Sequence, residues 1–206
     1  MTSGREPVAP DSENKDAYNA WIEEMRMRDL EKEKENYEVR QSEIEGSGWF
    51  AKKNYAIGEK ISHYIVGRYE DVRRGDAIEE GSEFDHGAVQ CGVTEDGDAL
   101  YIGVPHSPRR FINHSCEPNA GIQRAARPEG GWDSFIIAIR EVNPGDEVTL
   151  DYSTTQLDHW QMEGCKCGKP ACRGMITDFG RIAPGLQEKY IRLGIIPKWM
   201  SDAVQK

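Results

Sequence analysis

The sequence predicts a mainly β domain built from short strands, with helical segments near both ends. Short apolar runs, such as residues 134–140, stand between turns that contain glycine or proline, which is typical of strands. Helical spacing of apolar residues occurs at Tyr18, Ile22 and Met25 and again over residues 186–193. A length of 206 residues suits one domain with extensions at its ends.

The composition indicates an acidic protein that does not bind nucleic acid directly. The chain carries 36 acidic and 26 basic residues, a net charge of −10, which phosphate backbones would repel. Such a surface attracts basic partners such as lysine-rich peptides, although a charge that only maintains solubility would look the same. No run approaches the roughly 20 apolar residues of a membrane span. Because the first residues also lack a signal-peptide pattern, we expect an intracellular protein, cytoplasmic or nuclear, with no membrane partner.

The N-terminal part is expected to hold a polar tail, a helix and the first strands. Residues 1–15 are rich in Pro, Ser and Glu and are predicted to be disordered. Residues 16–37 are predicted to form a helix whose apolar side either docks on the domain, which we favour, or serves a partner. Strands are expected at 37–40 and 61–67, and the polar stretch 73–86 is interpreted as a loop-rich insertion.

The C-terminal part continues with short elements. Residues 99–104 and 134–140 are predicted strands, and the second is apolar on both faces and should therefore be buried. Residues 143–146, Asn-Pro-Gly-Asp, indicate a turn that precedes a short strand at 147–152. The helical spacing over 186–193 predicts a helix close to the end of the sequence.

The cysteine pattern favours metal binding over disulfides. Cys165, Cys167 and Cys172 form a tight cluster, and Cys116 lies 49 positions before Cys165. Five cysteines are an odd number, and a reducing compartment disfavours disulfides. One residue between Cys165 and Cys167 is also hard to reconcile with two unstrained bridges. Cys91 is left over and is predicted to be a buried apolar residue.

Three further motifs stand out. Residues 46–48 read Gly-Ser-Gly, residues 110–119 read RFINHSCEPN, and residues 145–152 read GDEVTLDY. Each has a simple structural interpretation when taken singly: a turn with a closely approaching backbone, a polar loop with a satisfied histidine, and a tyrosine that ends a strand in the core. Ten residues in the order of the second motif make the simple interpretation improbable there.

In combination these motifs resemble those of the SET-domain protein lysine methyltransferases that carry a post-SET zinc segment. The resemblance implies a mainly β, β-clip-like SET fold whose Asn113 loop and Tyr152 strand meet in a knot-like core. It assigns residues 38–160 to the SET domain, 161–176 to the post-SET segment and 177–206 to a helical C-terminal extension.

The resemblance also assigns site residues. It implies that S-adenosylmethionine (SAM) is bound as the methyl donor, and that four thiolates hold a structural zinc ion without an open coordination position. Zinc would pin the C-terminal segment against the active-site loop and complete the cofactor pocket. The cofactor residues that it implies are Ser47, Gly48, Trp49, Arg110, Phe111, Asn113, His114 and Tyr152. The implied zinc ligands are Cys116, Cys165, Cys167 and Cys172.

The resemblance makes Tyr152 the catalytic tyrosine and places Tyr64 and Leu150 along a narrow channel for the substrate lysine. Free lysine has a pKa of about 10.4, so a neutral amine has to be favoured before it can attack a sulfonium. Desolvation in a narrow channel disfavours the ammonium. A phenolic oxygen can orient the amine, so most of the rate gain is expected from alignment and electrostatics. Trp160, Met175 and Phe179 are candidates for stacking on the adenine ring.

The function that the resemblance implies is SAM-dependent N-methylation of a lysine in a protein substrate, a histone or another basic protein. A SAM-binding module without turnover and an enzyme for a small molecule are the alternatives. The sequence departs from the family in three places: no cysteine-rich segment precedes Gly46, Leu150 stands where relatives often carry an aromatic residue, and residues 101–108 lack a common Gly-Asn pattern. The second departure leaves the number of transferred methyl groups open.

Overall fold

The computed structural model describes Glu24, Arg28 and residues 31–66, 72–74, 89–93, 99–102, 108–126 and 132–205. The predicted disordered tail at 1–15 lies outside these residues. Most of the predicted N-terminal helix, including its apolar Tyr18, Ile22 and Met25, lies outside them too.

The strands are short and are divided among small sheets. In chain order they are β1 (Tyr37–Gln41), β2 (Ser47–Ala51), β3 (Lys60–Val66), β4 (Val72–Arg74), β5 (Val89–Val93), β6 (Ala99–Ile102), β7 (Asn113–His114), β8 (Ala120–Ala126), β9 (Trp132–Ala138), β10 (Thr149–Leu150), β11 (Gln161–Glu163) and β12 (Met175–Thr177). In the described part of the chain they pair as β1–β2, β3–β9–β8, β4–β6–β5, β7–β10 and β11–β12. The mainly β prediction is confirmed.

Strand β9 separates two hydrophobic cores. It lies between β3 and β8, and the side chains of neighbouring residues in a strand point to opposite faces. Ile136 is fully buried in the first core with Trp49, Tyr55 and Val148. Ile137, the next residue, packs in the second core. The prediction that this strand is apolar on both faces because both are covered agrees with the structure.

The second core is built largely by the C-terminal extension. A 3-10 turn at Phe179–Arg181 leads to helix α1 (Pro184–Arg192) and helix α2 (Lys198–Val204). Helix α1 matches the helical spacing in the sequence. Gly194, with a φ of 68°, turns the chain between the two helices. Tyr190 and Met200 from these helices are buried in the second core with Ile137 of β9.

Strand β4 corrects one part of the sequence interpretation. Arg73 and Arg74 belong to the stretch taken as a loop-rich insertion, but they pair with Tyr101 and Leu100 of β6. A run of three residues is too short for alternation to be recognised, so the hydrogen bonds of a partner strand define it instead. Residues 75–86, the rest of that stretch, lie outside the described residues.

The N-terminal helix reaches the body of the domain at its C-terminal end. Glu24, Arg28 and residues 31–33 are helical, and a 3-10 turn at Lys34–Asn36 leads into β1. The carboxylate of Glu33 pairs with Arg109, which is 5% exposed, and accepts a hydrogen bond of 2.7 Å from Ser62 Oγ. This end of the helix therefore docks on the turn that precedes the Asn113 loop. Among the described residues, no helix is long and apolar enough to cross a membrane.

Candidate active site

A parallel ladder brings the Asn113 loop and the Tyr152 segment together. Asn113 and His114 of β7 pair with Thr149 and Leu150 of β10, although the β8–β9 hairpin separates the two strands along the chain. The ladder continues where the Ser115 amide donates to the Leu150 carbonyl over 2.8 Å. Two motifs that are distant in the sequence thus form one small structure.

Tyr152 begins a 3-10 turn, Tyr152–Thr155, instead of ending a strand as the sequence indicated. The Asp151 side chain caps this turn. The extended backbone therefore ends with Asp151, one residue after Leu150, and the turn begins at Tyr152. The Tyr152 hydroxyl donates a 2.8 Å hydrogen bond to the Ile112 carbonyl. Burial, together with the negative charges of Glu45 and Glu147, raises the pKa of Tyr152 to about 12. Tyr152 is therefore a neutral phenol at physiological pH.

His114 connects the Tyr152 turn to the cysteine cluster. Its Nδ1 accepts a 3.1 Å hydrogen bond from the Tyr152 amide, and its Nε2 lies 3.3 Å from Cys116 Sγ. Burial lowers the pKa of His114 to about 4, although Asp151 acts in the opposite direction. A neutral ring that accepts at Nδ1 carries its proton on Nε2 and directs it to the sulfur. His114 is thus a buried link between two parts of the site.

Asn113 joins the loop of residues 42–48, here called the glycine loop, to the third motif, residues 145–152. Its side-chain amide lies 3.1 Å from the carbonyls of both Glu45 and Ser47, and it donates to Glu147 Oε1 over 2.8 Å. The Glu147 carboxylate also accepts a 2.8 Å hydrogen bond from Ser42 Oγ. The Asn113 amide nitrogen therefore bonds to the protein itself, and a contact between Asn113 and a cofactor stays a prediction.

The two loop glycines are required for reasons internal to the protein. Gly46 has a φ of 50°, which a residue without a Cβ adopts most readily. At Gly48 an added Cβ would collide with the Glu147 carboxylate and would lie 2.9 Å from Phe50 Cε2. The sequence interpretation left this space for a ligand. In the structure a carboxylate occupies it.

The remaining implied cofactor residues surround the ladder with different exposures. Ser47 is exposed beside Asn113, and Arg110 is exposed with its guanidinium 4.7 Å from the Phe111 ring centroid. Trp49 is 1% exposed, and its ring stacks on Tyr37 at 4.7 Å. The Trp49 indole is therefore a core group, and a contact between Trp49 and a cofactor stays a prediction.

The structure describes the two predicted channel residues unequally. Leu150 is 2% exposed and packs in the first core, with Tyr152 against the same core. Tyr64 lies within strand β3, but its side chain is outside the described part of the structure. Their place along a lysine channel stays a prediction.

Of the three candidates for adenine stacking, one is wrong. Phe179 is completely buried in the second core, because the C-terminal helices cover it, so it presents no face to a ligand. Met175 is 36% exposed on β12, and Trp160 is half-buried just before β11. These two remain candidates.

The four predicted metal ligands meet in space. The sulfur atoms of Cys116, Cys165, Cys167 and Cys172 lie within 4.8 Å of one another, and those of Cys116 and Cys165 are 3.8 Å apart. Four sulfurs at about 2.3 Å from one zinc ion are about 3.8 Å apart, so the spacing fits tetrahedral coordination. Burial raises the pKa of Cys116 to about 11, so its thiolate forms readily only beside a cation. The residues present therefore fit a structural zinc ion.

The segment of residues 165–174, here called the cysteine segment, is also connected to the Asn113 loop and the glycine loop by bonds that need no metal. The Arg173 amide lies 3.3 Å from Cys116 Sγ, and Lys166 forms a 2.7 Å ion pair with Glu45. The Cys165 amide donates to the Gly174 carbonyl over 2.9 Å, which closes the segment on itself. The segment thus lies across the glycine loop.

The sequence interpretation missed a buried group that lies next to the site. Asp151 is 1% exposed, and Arg173 forms a two-pronged pair with its carboxylate at 2.7 and 2.8 Å. Tyr190 of helix α1 donates to the same carboxylate over 2.9 Å. Burial and the Asp151 charge raise the pKa of Tyr190, so its hydroxyl stays a donor. Asp151 and Arg173 each adjoin a predicted site residue, and that adjacency was the available signal.

An open cavity of about 700 Å³ lies beside the ladder. Its wall includes Ile44 and Glu147 from the glycine-loop side and Lys166 and Cys167 from the cysteine segment. Tyr152 and His114 do not line it. The cavity therefore adjoins the candidate site between the glycine loop and the cysteine segment.

The parallel ladder, the tyrosine turn and the cluster of four cysteines define the mainly β class of domains found in protein lysine methyltransferases. The family model described as SET domain matches residues 46–153, more than half of the 206-residue chain. The chain belongs to the SET domain family.

Several similar proteins are histone-lysine methyltransferases by name. Human histone-lysine N-methyltransferase 2B is 34% identical over 158 residues, covering 74% of this chain and 6% of that protein. The rice histone-lysine N-methyltransferase TRX1 is 34% identical over 66% of this chain and 13% of its own length. The H3 lysine-4 specific enzyme of Schizosaccharomyces pombe is 33% identical over 74% of this chain and 16% of its own. The chain thus spans only a small part of these relatives.

Proposed function

We propose that the chain is a SAM-dependent protein-lysine N-methyltransferase. One observation carries the proposal: the hydroxyl of Tyr152 is held beside the Asn113–His114 ladder, with its proton given to the Ile112 carbonyl. The oxygen lone pairs of Tyr152 are then free to accept a hydrogen bond from an incoming amine. Such a bond aims the amine nitrogen without requiring the phenol to ionise.

The electrostatics of the site suit a cationic cofactor and a cationic substrate. The carboxylates of Glu45 and Glu147 are close enough to Tyr152 to raise its pKa. A negative field of this kind attracts the sulfonium of SAM and a lysine side chain that arrives as an ammonium. Both groups carry positive charge, so the residues present fit the implied cofactor.

The chemistry requires a neutral amine in line with the methyl group. SAM supplies an activated methyl group on a positively charged sulfur. Lysine, with a pKa of about 10.4, has to lose a proton to water before it can attack. With its pKa raised to about 12, Tyr152 is almost entirely the neutral phenol at physiological pH, and a neutral phenol is a poor base. The role of Tyr152 is therefore to orient the amine. Alignment and a fixed electrostatic field supply the rate gain.

The four cysteines would hold a zinc ion that organises the site without taking part in the reaction. A set of four thiolates leaves no coordination position for substrate or water. Cys116 follows His114 closely in the sequence, and the other three ligands belong to the C-terminal segment. A bound zinc ion would therefore fasten that segment to the Asn113 loop.

We infer that the substrate is a lysine in a basic protein. The net charge of −10 favours such a partner, and the relatives named above are histone-lysine methyltransferases. Histones are therefore the first substrates to test. A location in the cytoplasm or the nucleus, where such substrates are made and used, is part of the same proposal.

The test is transfer of an isotope-labelled methyl group from SAM into core histones and a whole-cell protein extract. Wild type is compared with Tyr152→Phe and with Tyr55→Phe, a control that removes another buried phenol hydroxyl. We expect a labelled protein band that loses about a hundredfold or more of its label with Tyr152→Phe and none with Tyr55→Phe. No protein labelling, with SAM binding demonstrated by calorimetry, would instead favour a binding module or a small-molecule substrate.

A further inference from the structure

We infer that Tyr190, on the first helix of the C-terminal extension, is a positioning residue for the Tyr152 turn and acts through Asp151 together with Arg173. The inference rests on the proposed function and deepens it. It makes the C-terminal extension part of the active-site machinery, although the extension lies beyond the residues matched by the SET domain family model.

Asp151 lies directly before the turn that carries Tyr152. It immediately precedes Tyr152, and its carboxylate accepts a 3.0 Å hydrogen bond from the Ser153 amide, which caps the turn that carries Tyr152. The Asp151 carbonyl accepts a further 2.9 Å bond from the Thr154 amide. Because the carboxylate is bonded to the Ser153 amide, a rotation of the carboxylate would shift the backbone that carries the Tyr152 side chain.

The Asp151 carboxylate is held by donors from Arg173 and Tyr190. Oδ1 accepts from Arg173 Nη2 at 2.7 Å, and Oδ2 accepts from Arg173 Nη1 at 2.8 Å and from the Tyr190 hydroxyl at 2.9 Å. Asp151 is 1% exposed, so water has little access to replace a lost donor. A buried carboxylate with a full set of charge-assisted donors has one orientation, and each donor contributes to fixing it.

The two donors, Tyr190 and Arg173, are themselves fixed by their surroundings. The Tyr190 ring is 1% exposed and packs in the second core with Phe179, Ile182 and Met200. Arg173 adjoins Cys172, and its amide also lies 3.3 Å from Cys116 Sγ. The Tyr190 hydroxyl thus transmits the position of the C-terminal helices to Asp151, and Arg173 transmits the position of the cysteine segment. The Tyr152 turn is set where these two meet.

The main test compares Tyr190→Phe with wild type in kcat, in KM for SAM and in Tm. The variant keeps the packed ring and loses only the hydroxyl. We expect kcat per folded molecule to fall about tenfold while KM for SAM changes little, because the alignment of the turn is relaxed. Tm should fall moderately, because the buried carboxylate loses one donor but keeps its pair with Arg173. Tyr55→Phe is the matched control, because the Tyr55 hydroxyl is buried without a hydrogen-bond partner among the described residues. Its kcat should equal that of wild type.

A merely structural role would give a different pattern. Tyr190→Phe would then lower Tm and leave kcat per folded molecule unchanged. A kcat per folded molecule equal to that of wild type, whatever the Tm, would overturn the inference. Arg173→Lys is the second variant, because it keeps the positive charge and loses the two-pronged geometry. The double variant Arg173→Lys/Tyr190→Phe should lose kcat by a smaller factor than the product of the two single losses, since both substitutions act on one carboxylate.

Hydrogen exchange supplies a measurement that does not depend on activity. We expect the amides of residues 151–155 to exchange faster in Tyr190→Phe than in wild type, and at the wild-type rate in Tyr55→Phe. If wild type transfers no methyl group to any protein, the proposed function fails while this measurement still decides the structural link. Unchanged exchange over 151–155 would refute that link.

Discussion

The carboxylate of Glu147 occupies the space that a side chain on Gly48 would need. A Cβ built on Gly48 would lie 2.8 Å from Glu147 Cδ, and the same carboxylate binds Ser42 and Asn113. The absence of a side chain at Gly48 and the presence of a carboxylate at Glu147 are therefore one feature. Together they fix the glycine loop against the ladder.

Gly48→Ala should displace the glycine loop. We expect a loss of about 1 to 3 kcal/mol in the free energy of unfolding, because the added methyl group overpacks a buried site. SAM affinity should fall as well, since the loop backbone moves away from Asn113. Chemical denaturation and calorimetric SAM titration measure the two effects.

Gly185→Ala is the matched control for this substitution. Gly185 lies exposed in helix α1, and an added Cβ meets nothing within 4 Å. Alanine there should stabilise by up to about 1 kcal/mol through helix propensity. A Gly48→Ala protein with the stability and SAM affinity of wild type would contradict the proposed arrangement of the loop.

Cys172→Ser should separate the zinc segment from the folded core. Wild type is expected to contain about one zinc ion per chain by elemental analysis, as a closed structural site requires. The variant should lose the zinc ion and most of its methyl transfer, while its far-UV circular dichroism stays close to that of wild type, because both cores lie outside the cysteine segment.

Lys169→Ala, an exposed change in the same segment, serves as the control and should keep both zinc and activity. The zinc account would be wrong if metal-free protein were fully active.

Gly121→Ala should loosen the attachment of the C-terminal extension. A Cβ on Gly121 would lie 2.6 Å from Ile195 Cγ2 and 2.8 Å from Ile195 Cδ1. We expect a destabilisation of about 1 to 3 kcal/mol from this collision. Combining it with Ile195→Ala should cost about 1 kcal/mol less than the sum of the two single changes, since the second removes the colliding atoms. Strict additivity in denaturation experiments would show that the two residues do not touch.

The stability of the protein should fall between pH 10 and pH 12 in part through Tyr55. Burial, with the charges of Glu33 and Glu59, raises the pKa of Tyr55 to about 12. A raised pKa favours the folded state fully below the unfolded value of about 10, and this contribution is lost as the pH rises toward 12. Over that interval wild type should lose about 1 to 2 kcal/mol more than Tyr55→Phe. Denaturant unfolding at several pH values measures the difference, and parallel curves would contradict it.

Features that depend on local patterns could be predicted from the sequence. The apolar run at 134–140 corresponds to the buried strand Trp132–Ala138, and the turn at 143–146 precedes the ladder strand as expected. Spacing groups Cys165, Cys167 and Cys172, the family resemblance adds Cys116, and the four sulfur atoms do lie together. Resemblance to a known family correctly indicated that the Asn113 loop meets the segment after residue 147.

Features that depend on distant side chains could not be predicted. Asp151 bonds to Arg173 and Tyr190, which are 22 and 39 positions away, and no periodicity connects such residues. Phe179 was a reasonable candidate for adenine stacking, but the helices that bury it come later in the chain. The start of the turn at Tyr152 was missed because a side-chain cap, not a change in hydrophobic pattern, ends the strand.

The wide sequence separation of these contacts bears on the order in which the chain folds. The ladder joins residues on either side of the β8–β9 hairpin, and contacts of long separation cost chain entropy before they stabilise anything. We therefore expect the ladder to form after that hairpin. The two donors to the Asp151 carboxylate, Arg173 and Tyr190, both come later in the chain, and Tyr190 comes last. A nascent polypeptide that has emerged only as far as the cysteine segment carries every recognisable motif and still lacks the last donor for Asp151. We therefore expect the proposed methyl transfer to become possible only late in folding, when the C-terminal helices pack on the domain.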